Sequence, residues 1–280
     1  MVTGTADERF ITWFNGLEDS RVTVHSIYER VINLTGEKGK LYTLQQTGLP
    51  MQPATLQLPE ASFQAVKDAI IKPSKTINLR CLKTDDLKRM SLKWTSEKVP
   101  SDIPKKIGVL QESLHRSGVS GGLLYAILPN EVVKPTVMER YLAKALEKGL
   151  FTGDYTPLIG LGIGLTPSGD DAVCGLLAVQ HVNGGVDVRV DEQIQKALCN
   201  TTAVSKTMLH YALKGEFNES LLQLMVALTE DDEKQLKDRA EAVCRYGSTS
   251  GTDTLAGVIS GLNSLVPFTQ NEEERPWQNK

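Results

Sequence analysis

The sequence contains few of the residues that build metal centres and disulfide scaffolds. Its 280 residues include four cysteines and four histidines, and no two cysteines form a CxxC pair. This pattern excludes a zinc ribbon or a disulfide-stapled fold and favours reduced thiols in a cytoplasmic protein. No apolar run approaches the roughly 18 residues of a membrane span, and the first residues lack the basic start and apolar core of a signal peptide.

An excess of charge of either sign is also lacking. The formal net charge is −3, with 23% charged and 40% hydrophobic residues. Without a basic excess, the sequence gives no electrostatic reason to expect nucleic acid or an anionic membrane as a partner. The composition is that of an ordinary globular chain, long enough for one large or two small domains.

Standard catalytic motifs are absent as well. There is no Gly-x-Ser-x-Gly elbow, no HExxH pair and no lysine placed as in a P-loop. His181 and His210 are single histidines on predicted helices, where a core or surface position is a simpler explanation than a catalytic base. The remaining polar residues suit binding and positioning of an anion better than covalent catalysis.

The sequence does contain a glycine-rich turn that leads into a predicted helix. Gly162 and Gly164 lie just before Thr166, which predicts an N-cap, and Pro167, which predicts the first helical residue. A helix N-terminus carries about +0.5 of an elementary charge and free N–H groups, which suit a phosphate or carboxylate. The alternative is a tight turn whose glycines serve packing alone.

A second copy of this pattern follows 82 residues later (250 minus 168). Both copies read Ser-Gly-x-Asp-x-x-x-Gly, from Ser168 to Gly175 and from Ser250 to Gly257. Each copy opens an apolar helix, so we predict that the two serine–glycine turns face one shared ligand. Two helix caps without a common purpose are the alternative.

Acidic residues accompany both turns. Asp170, Asp171 and Asp253 suit the positive end of a helix dipole, but they would repel a bound phosphate unless a cation intervenes. They either brace the turns or hold Mg²⁺, a hard cation that prefers oxygen ligands. We predict these three aspartates as the catalytic residues; no residue is predicted with certainty as a metal ligand, and Mg²⁺ is the one cofactor considered.

A third polar cluster interrupts the apolar stripe of a later helix. Its hydroxyls either bond to nearby backbone carbonyls or line a polar cavity that the turns also face. Together with the turns it gives the predicted anion-binding set: Gly162, Gly164, Thr166, Ser168, Gly169, Thr201, Thr202, Ser205, Thr249, Ser250 and Gly251.

Hydrophobic periodicity predicts an α+β protein with an N-terminal β-rich domain (1–130, with two helices) and a C-terminal helical domain (131–280) that carries both turns. The predicted elements of the first domain are a loose arm over residues 1–20, a hairpin around 36–39, helices over 59–71 and 104–116, and strands that include 77–81, 90–94 and 121–128. Those of the second are a helix that stops at Gly149, a helical region over 191–214, further helices up to 265 and a loose tail over 271–280.

The motifs in this order resemble the AllH family. The matching stretches are Gly162–Asp171, Thr201–Ser205 and Gly247–Leu255. The resemblance implies a subunit of oxamate carbamoyltransferase, which converts oxalurate and phosphate to oxamate and carbamoyl phosphate in allantoin (purine) catabolism. It also implies a small anionic substrate and, as partners, a FdrA-like protein and a second subunit.

The resemblance leaves two other functions open. One is a non-catalytic structural or regulatory subunit that binds a metabolite and a FdrA-like partner. The other is an ATP-binding, kinase-like protein.

Overall fold

A seven-stranded mixed sheet forms the first part of the structure, and helices form the rest. The computed structural model describes residues 4–71, 74–80 and 87–266, without the side chain of Lys38. Within these residues the strands end at Met90 and only helices and loops follow, so the predicted α+β class is confirmed.

The sheet has the strand order β6-β2-β3-β4-β5-β1-β7. Strands β4 and β5 and strands β1 and β7 pair in parallel, and the other neighbours are antiparallel. The predicted hairpin around residues 36–39 is confirmed, since β3 and β4 pair on either side of it. The strands are β1 Gly4–Asp7, β2 Arg21–Ile27, β3 Val31–Thr35, β4 Leu41–Gln46, β5 Thr55–Leu58, β6 Thr76–Asn78 and β7 Leu87–Met90.

The sheet region and the helical region each have their own hydrophobic core. The sheet packs against two helices through Phe10 and Phe63, whereas the later helices share a core of their own. In the described part of the chain, every helix is too short or too polar to cross a lipid bilayer. The helices are α1 Glu8–Asn15, α2 Glu60–Asp68, α3 Ile103–Ser117, α4 Leu124–Ile127, α5 Val137–Thr152, α6 Ser168–Val182, α7 Val188–Ala197, α8 Ala203–Ala212, α9 Glu219–Leu228, α10 Glu233–Cys244 and α11 Ser250–Leu265.

Three predicted segments of the first half are wrong. The arm over 1–20 contains β1, which pairs with β5 and β7, and α1, which buries Phe10. The last strand predicted over 121–128 is instead a loop and the short helix α4, because its amides bond to side chains of α5 and α11 rather than to a sheet. The strand predicted over 90–94 ends at Met90, and the next residues bond to the segment before α9 instead. Cys81 lies outside the described residues.

Helix boundaries in the second half also differ from prediction. Helix α5 continues past Gly149 to Thr152 and ends at Gly153, whose φ of 71° suits glycine. The region predicted as helical over 191–214 forms two helices, α7 and α8, separated by a tight turn at Leu198–Asn200. The tail predicted as loose over 271–280 lies outside the described residues.

The division into domains at residue 130 stays a prediction. The side chains of Ile107, Leu110 and Leu114 on α3 are buried in the helical core rather than in the sheet core. We therefore propose that a boundary before Ile103 describes the two units better than one at 130.

Polar contacts join the sheet region to the helical region. The guanidinium of Arg9 on α1 binds both carboxylate oxygens of the buried Glu216, which precedes α9. In the loop between β4 and β5, the amide of Met51 donates to the carboxylate of Glu219 (3.1 Å), and the Met51 carbonyl accepts from the Glu219 amide (2.9 Å). These contacts fix the sheet region against α9 and the segment that precedes it.

Helices α6 and α11 pack backbone against backbone at the centre of the helical core. A Cβ atom added at Gly175 would lie 2.1 Å from the carbonyl oxygen of Thr254, and one added at Gly257 would lie 2.1 Å from that of Ala172. The two contacts are equivalent under the 82-residue offset, since 254 minus 172 and 257 minus 175 both equal 82. The final glycine of each motif is therefore required for close helix contact.

We expect Gly257→Ala to destabilise the protein, because the added methyl group must push α11 away from the rigid backbone of α6. Overpacking of this kind lowers the free energy of unfolding by about 1–3 kcal/mol. The matched control is Gly108→Ala on α3, an exposed helical position where a Cβ meets nothing within 4 Å. That substitution should stabilise by about 0.5–1 kcal/mol. Urea denaturation of both variants measures the difference, and equal effects would contradict the packing account.

Candidate active site at the paired serine–glycine turns

The two serine–glycine turns lie side by side in the structure. They occupy the N-termini of α6 and α11, and the hydroxyl oxygens of Thr166 and Ser250 are 2.9 Å apart. Thr166 is not the helix cap that the sequence predicted: Pro167 takes the cap position and α6 begins at Ser168. The Thr166 hydroxyl bonds across to the other turn instead.

In each turn the glycine that follows the serine donates its amide to a carbonyl earlier in the chain. The amide of Gly169 donates to the carbonyl of Leu161 (2.8 Å), and the amide of Gly251 donates to that of Tyr246 (2.9 Å). These two amides are occupied, so the geometry does not support their predicted role in binding an anion. A Cβ at either glycine would lie within about 2 Å of a carbonyl oxygen, which makes both glycines a packing requirement.

The glycine-rich turn before α6 is exposed at its tip. Gly162 and Gly164 have φ angles of 131° and 102°, conformations that L side chains rarely adopt. A Cβ at Gly162 would also meet the amide nitrogen of Ser168 at 2.5 Å, whereas Gly164 borders open space. The apolar side chains of Ile163 and Leu165 remain 85% and 49% exposed at this tip.

A buried pair of carboxyl groups lies beneath the two turns. Asp171 on α6 is 2% exposed and Asp253 on α11 is fully buried. Burial, the nearby charge of Asp253 and, more weakly, that of Asp170 raise the pKa of Asp171 well above its usual value, against the hydroxyls of Ser250 and Thr166, which lower it. The Oδ2 atoms of Asp171 and Asp253 have no hydrogen-bond partner.

Asp253 is held from the opposite side by the loop before α4. Its Oδ1 accepts from the amide of Leu123 (2.6 Å), and a Cβ at Gly122 would lie 2.1 Å from the same oxygen. Burial raises the pKa of Asp253 to about 6, although the Leu123 amide and the hydroxyls of Ser168 and Thr249 lower it. Each aspartate thus lies close to the serine of the other helix.

Asp170 braces the surrounding loops rather than facing the turns. Its carboxylate accepts from the amide of Gly160 (2.8 Å) and from the hydroxyl of Thr201. The Thr202 hydroxyl caps α8 through the amide of Ser205 (3.1 Å) and lies 2.5 Å from the Leu165 carbonyl. The hydroxyl cluster therefore joins the glycine-rich turn to α8.

Sequence reasoning missed three contributors to this site: Glu139, Tyr246 and Gln52. Glu139 on α5 accepts from the amide of Gly121 (3.0 Å) and so fixes the loop that holds Asp253. The Tyr246 hydroxyl accepts from Gln52 of the sheet region (3.0 Å), and burial together with the charge of Asp171 raises the pKa of Tyr246 to about 12. The Gly121-Gly122 pair was the available signal, but it was assigned to a strand.

The charges at the site do not form a metal centre of the usual kind. Within the described residues no group of three or more His, Cys, Asp or Glu side chains could hold a metal ion. The unpartnered Oδ2 atoms of Asp171 and Asp253 could supply two oxygen ligands to Mg²⁺, or they could share a proton.

Two stretches of the chain match described protein families. Residues 158–262 match the family described as oxamate carbamoyltransferase subunit AllH, and residues 3–95 match the AllH family N-terminal domain. Together they cover well over half of the chain. No solved structure matches the chain.

We expect Asp253→Asn to change how stability depends on pH. The raised pKa of Asp253 (about 6) means that the folded protein resists ionisation, so the wild type loses stability as pH rises from about 4 to about 6. The variant avoids this loss. Its free energy of unfolding should therefore rise by about 3 kcal/mol relative to wild type over that pH window, and the difference should stay constant at higher pH. Urea denaturation between pH 4 and 8 measures the gain.

The matched control is Asp187→Asn, at the exposed N-cap of α7. The backbone amide of Arg189 holds the pKa of Asp187 below its usual value, so the ionised side chain stabilises the folded wild type as pH rises. The Asp187→Asn variant should therefore become less stable than wild type as pH rises, opposite to Asp253→Asn. A constant difference between Asp253→Asn and wild type at every pH would show that the carboxyl does not carry the inferred burial penalty.

Proposed function

This chain belongs to the AllH family of oxamate carbamoyltransferase subunits, and we propose that it takes part in the phosphorolysis of oxalurate to oxamate and carbamoyl phosphate in purine catabolism. Family membership supports the reaction. The observation that carries a catalytic role for this chain is the contact between the two serine–glycine turns above a buried pair of carboxyl groups.

The reaction requires a proton at one defined atom. A phosphate oxygen attacks the carbamoyl carbon of oxalurate, and the bond from that carbon to the adjacent amide nitrogen breaks. The nitrogen departs in oxamate and must take up a proton, while negative charge builds on the carbamoyl oxygen. A positioned acid and fixed hydrogen-bond donors are the protein groups that lower such a barrier.

Asp171 has the properties of that acid. Its raised pKa favours the protonated form, and burial excludes bulk water from it. Because the carboxyl is only 2% exposed, a ligand would reach it through the half-buried hydroxyls of Thr166 and Ser250. We propose that these hydroxyls, with Ser168 and Thr249, position the anion and relay the proton from Asp171, while Asp253 holds Asp171 in its neutral form.

A partner subunit fits the exposed tip of the glycine-rich turn. Ile163 and Leu165 present apolar side chains to solvent beside the site, an arrangement typical of a surface that another protein covers. The family description as a subunit supports a multisubunit enzyme. We propose that a FdrA-like protein or the second subunit covers this tip and completes the substrate pocket.

One observation favours the alternative of a non-catalytic subunit. All three aspartates are nearly inaccessible, and Asp170 is fully engaged with Gly160 and Thr201. In this alternative the carboxyls stabilise the paired turns, and the turns serve as the docking surface for the catalytic partner.

The test is reconstitution of the enzyme from its subunits with oxalurate and phosphate as substrates. We expect carbamoyl phosphate to form only when this chain is present. Formation at the same rate without the chain would reject the proposed function.

We expect two variants to separate catalysis from assembly in the reconstituted enzyme. Asp171→Asn retains the shape of the side chain but cannot supply the proton, so kcat should fall about 10²- to 10⁴-fold. Ser250→Ala removes a relaying hydroxyl and should also lower kcat. The control is Ser264→Ala at the far end of α11, where the hydroxyl bonds only within its own helix (2.6 Å to Gly261). Full activity of Asp171→Asn in an intact complex would favour the non-catalytic alternative.

A further inference from the structure

A second candidate site lies between the sheet region and α8, away from the carboxyl pair. A cavity of about 100 Å³ opens there beside the turn that joins β3 to β4. The side chains of Lys206, His210 and Tyr211 on α8 line one wall, and Lys40 lines the other. Leu198, from the turn between α7 and α8, adds an apolar surface.

Positive charge converges on this cavity. Lys206, His210 and Lys214 follow one another at four-residue intervals, which places them along one face of α8 and its continuation. Lys40 adds a fourth basic group from the sheet region. Of the acidic groups that act on His210 or Lys214, Glu216 is already bound by Arg9, and Asp191 affects the pKa of Lys214 less than Glu216 does.

The contact between His210 and Lys214 shows the effect of these neighbouring positive charges. The Nζ atom of Lys214 lies 3.0 Å from Nε2 of His210, and because an ammonium can only donate, the imidazole must accept in its neutral form. Burial and the charges of Lys214, Lys40 and Arg9 lower the pKa of His210 against the opposing effect of Glu216. An anion in the cavity would reverse this shift by compensating the lysines.

We propose that this cavity binds a small anion with a carboxylate or phosphate group, held by Lys40, Lys206 and His210 between the sheet region and α8. The face of Tyr211 and the side chain of Leu198 would pack against the body of the ligand. The site does not depend on the proposed reaction, because none of its residues contributes to the pKa of Asp171 or Asp253.

The imidazole signals of the full-length chain test this proposal. The sequence has four histidines, so ring C2–H resonances can be followed by proton NMR, with His210 assigned from His210→Asn. Sodium sulfate represents the phosphate group without titrating near neutral pH, and sodium oxamate represents the carboxylate. Sodium chloride at equal ionic strength is the reference.

We expect sulfate or oxamate to raise the pKa of His210 in a saturable manner while His25 and His115 match the chloride reference. Saturation by one anion identifies the group that the site prefers. The double variant Lys40→Gln/Lys206→Gln should weaken binding at least about tenfold, because both charge-assisted contacts to the anion are lost.

Two control variants separate this site from the rest of the protein. Lys148→Gln, an exposed position on α5, and Ser250→Ala, at the paired turns, should both bind the anion as wild type does. Equal pKa changes at all surface histidines, or no saturation with either anion, would overturn the proposal. Loss of binding in Ser250→Ala would place the anion at the turns and overturn it as well.

Discussion

The direct contact between the backbones of α6 and α11 determines the rest of this structure. Two glycines, Gly175 and Gly257, remove the side chains that would hold the helices apart, and the carbonyls of Ala172 and Thr254 occupy that space. Because the helices lie so close over their first two turns, their N-terminal residues must meet as well. The contact between Thr166 and Ser250, and the burial of Asp171 and Asp253 beneath it, both follow from this packing.

Burying two carboxyl groups together has an energetic cost that the protein offsets with neighbouring donors. An isolated charged carboxylate in such a place would be strongly unfavourable, so at least one group keeps its proton. The Leu123 amide and the hydroxyls of both turns stabilise the charge that remains. The same arrangement raises the pKa of Asp171 near an exposed turn, which connects the packing of the helices to the proposed chemistry.

Local sequence signals identified the parts of the fold that short-range forces determine. The Ser-Gly-x-Asp repeats marked two helix starts, and a glycine-containing turn between two short apolar runs marked the hairpin between β3 and β4. What the sequence could not show depends on distant partners. The hydroxyl of Thr166 bonds to a residue 84 positions away instead of capping its own helix, and the amides of Gly121 and Leu123 bond to Glu139 and Asp253 instead of to a strand. Strand β1 was missed because its four residues include no long apolar side chain.

The two halves of the site depend on each other. The serine that begins each helix lies beside the aspartate of the other helix, so Ser168 is near Asp253 and Ser250 is near Asp171. A polypeptide with a single copy of the motif would have to associate with a second molecule to make these contacts, and its site would then vary with protein concentration. Joining both copies in one polypeptide makes the association intramolecular, at a high and constant effective concentration.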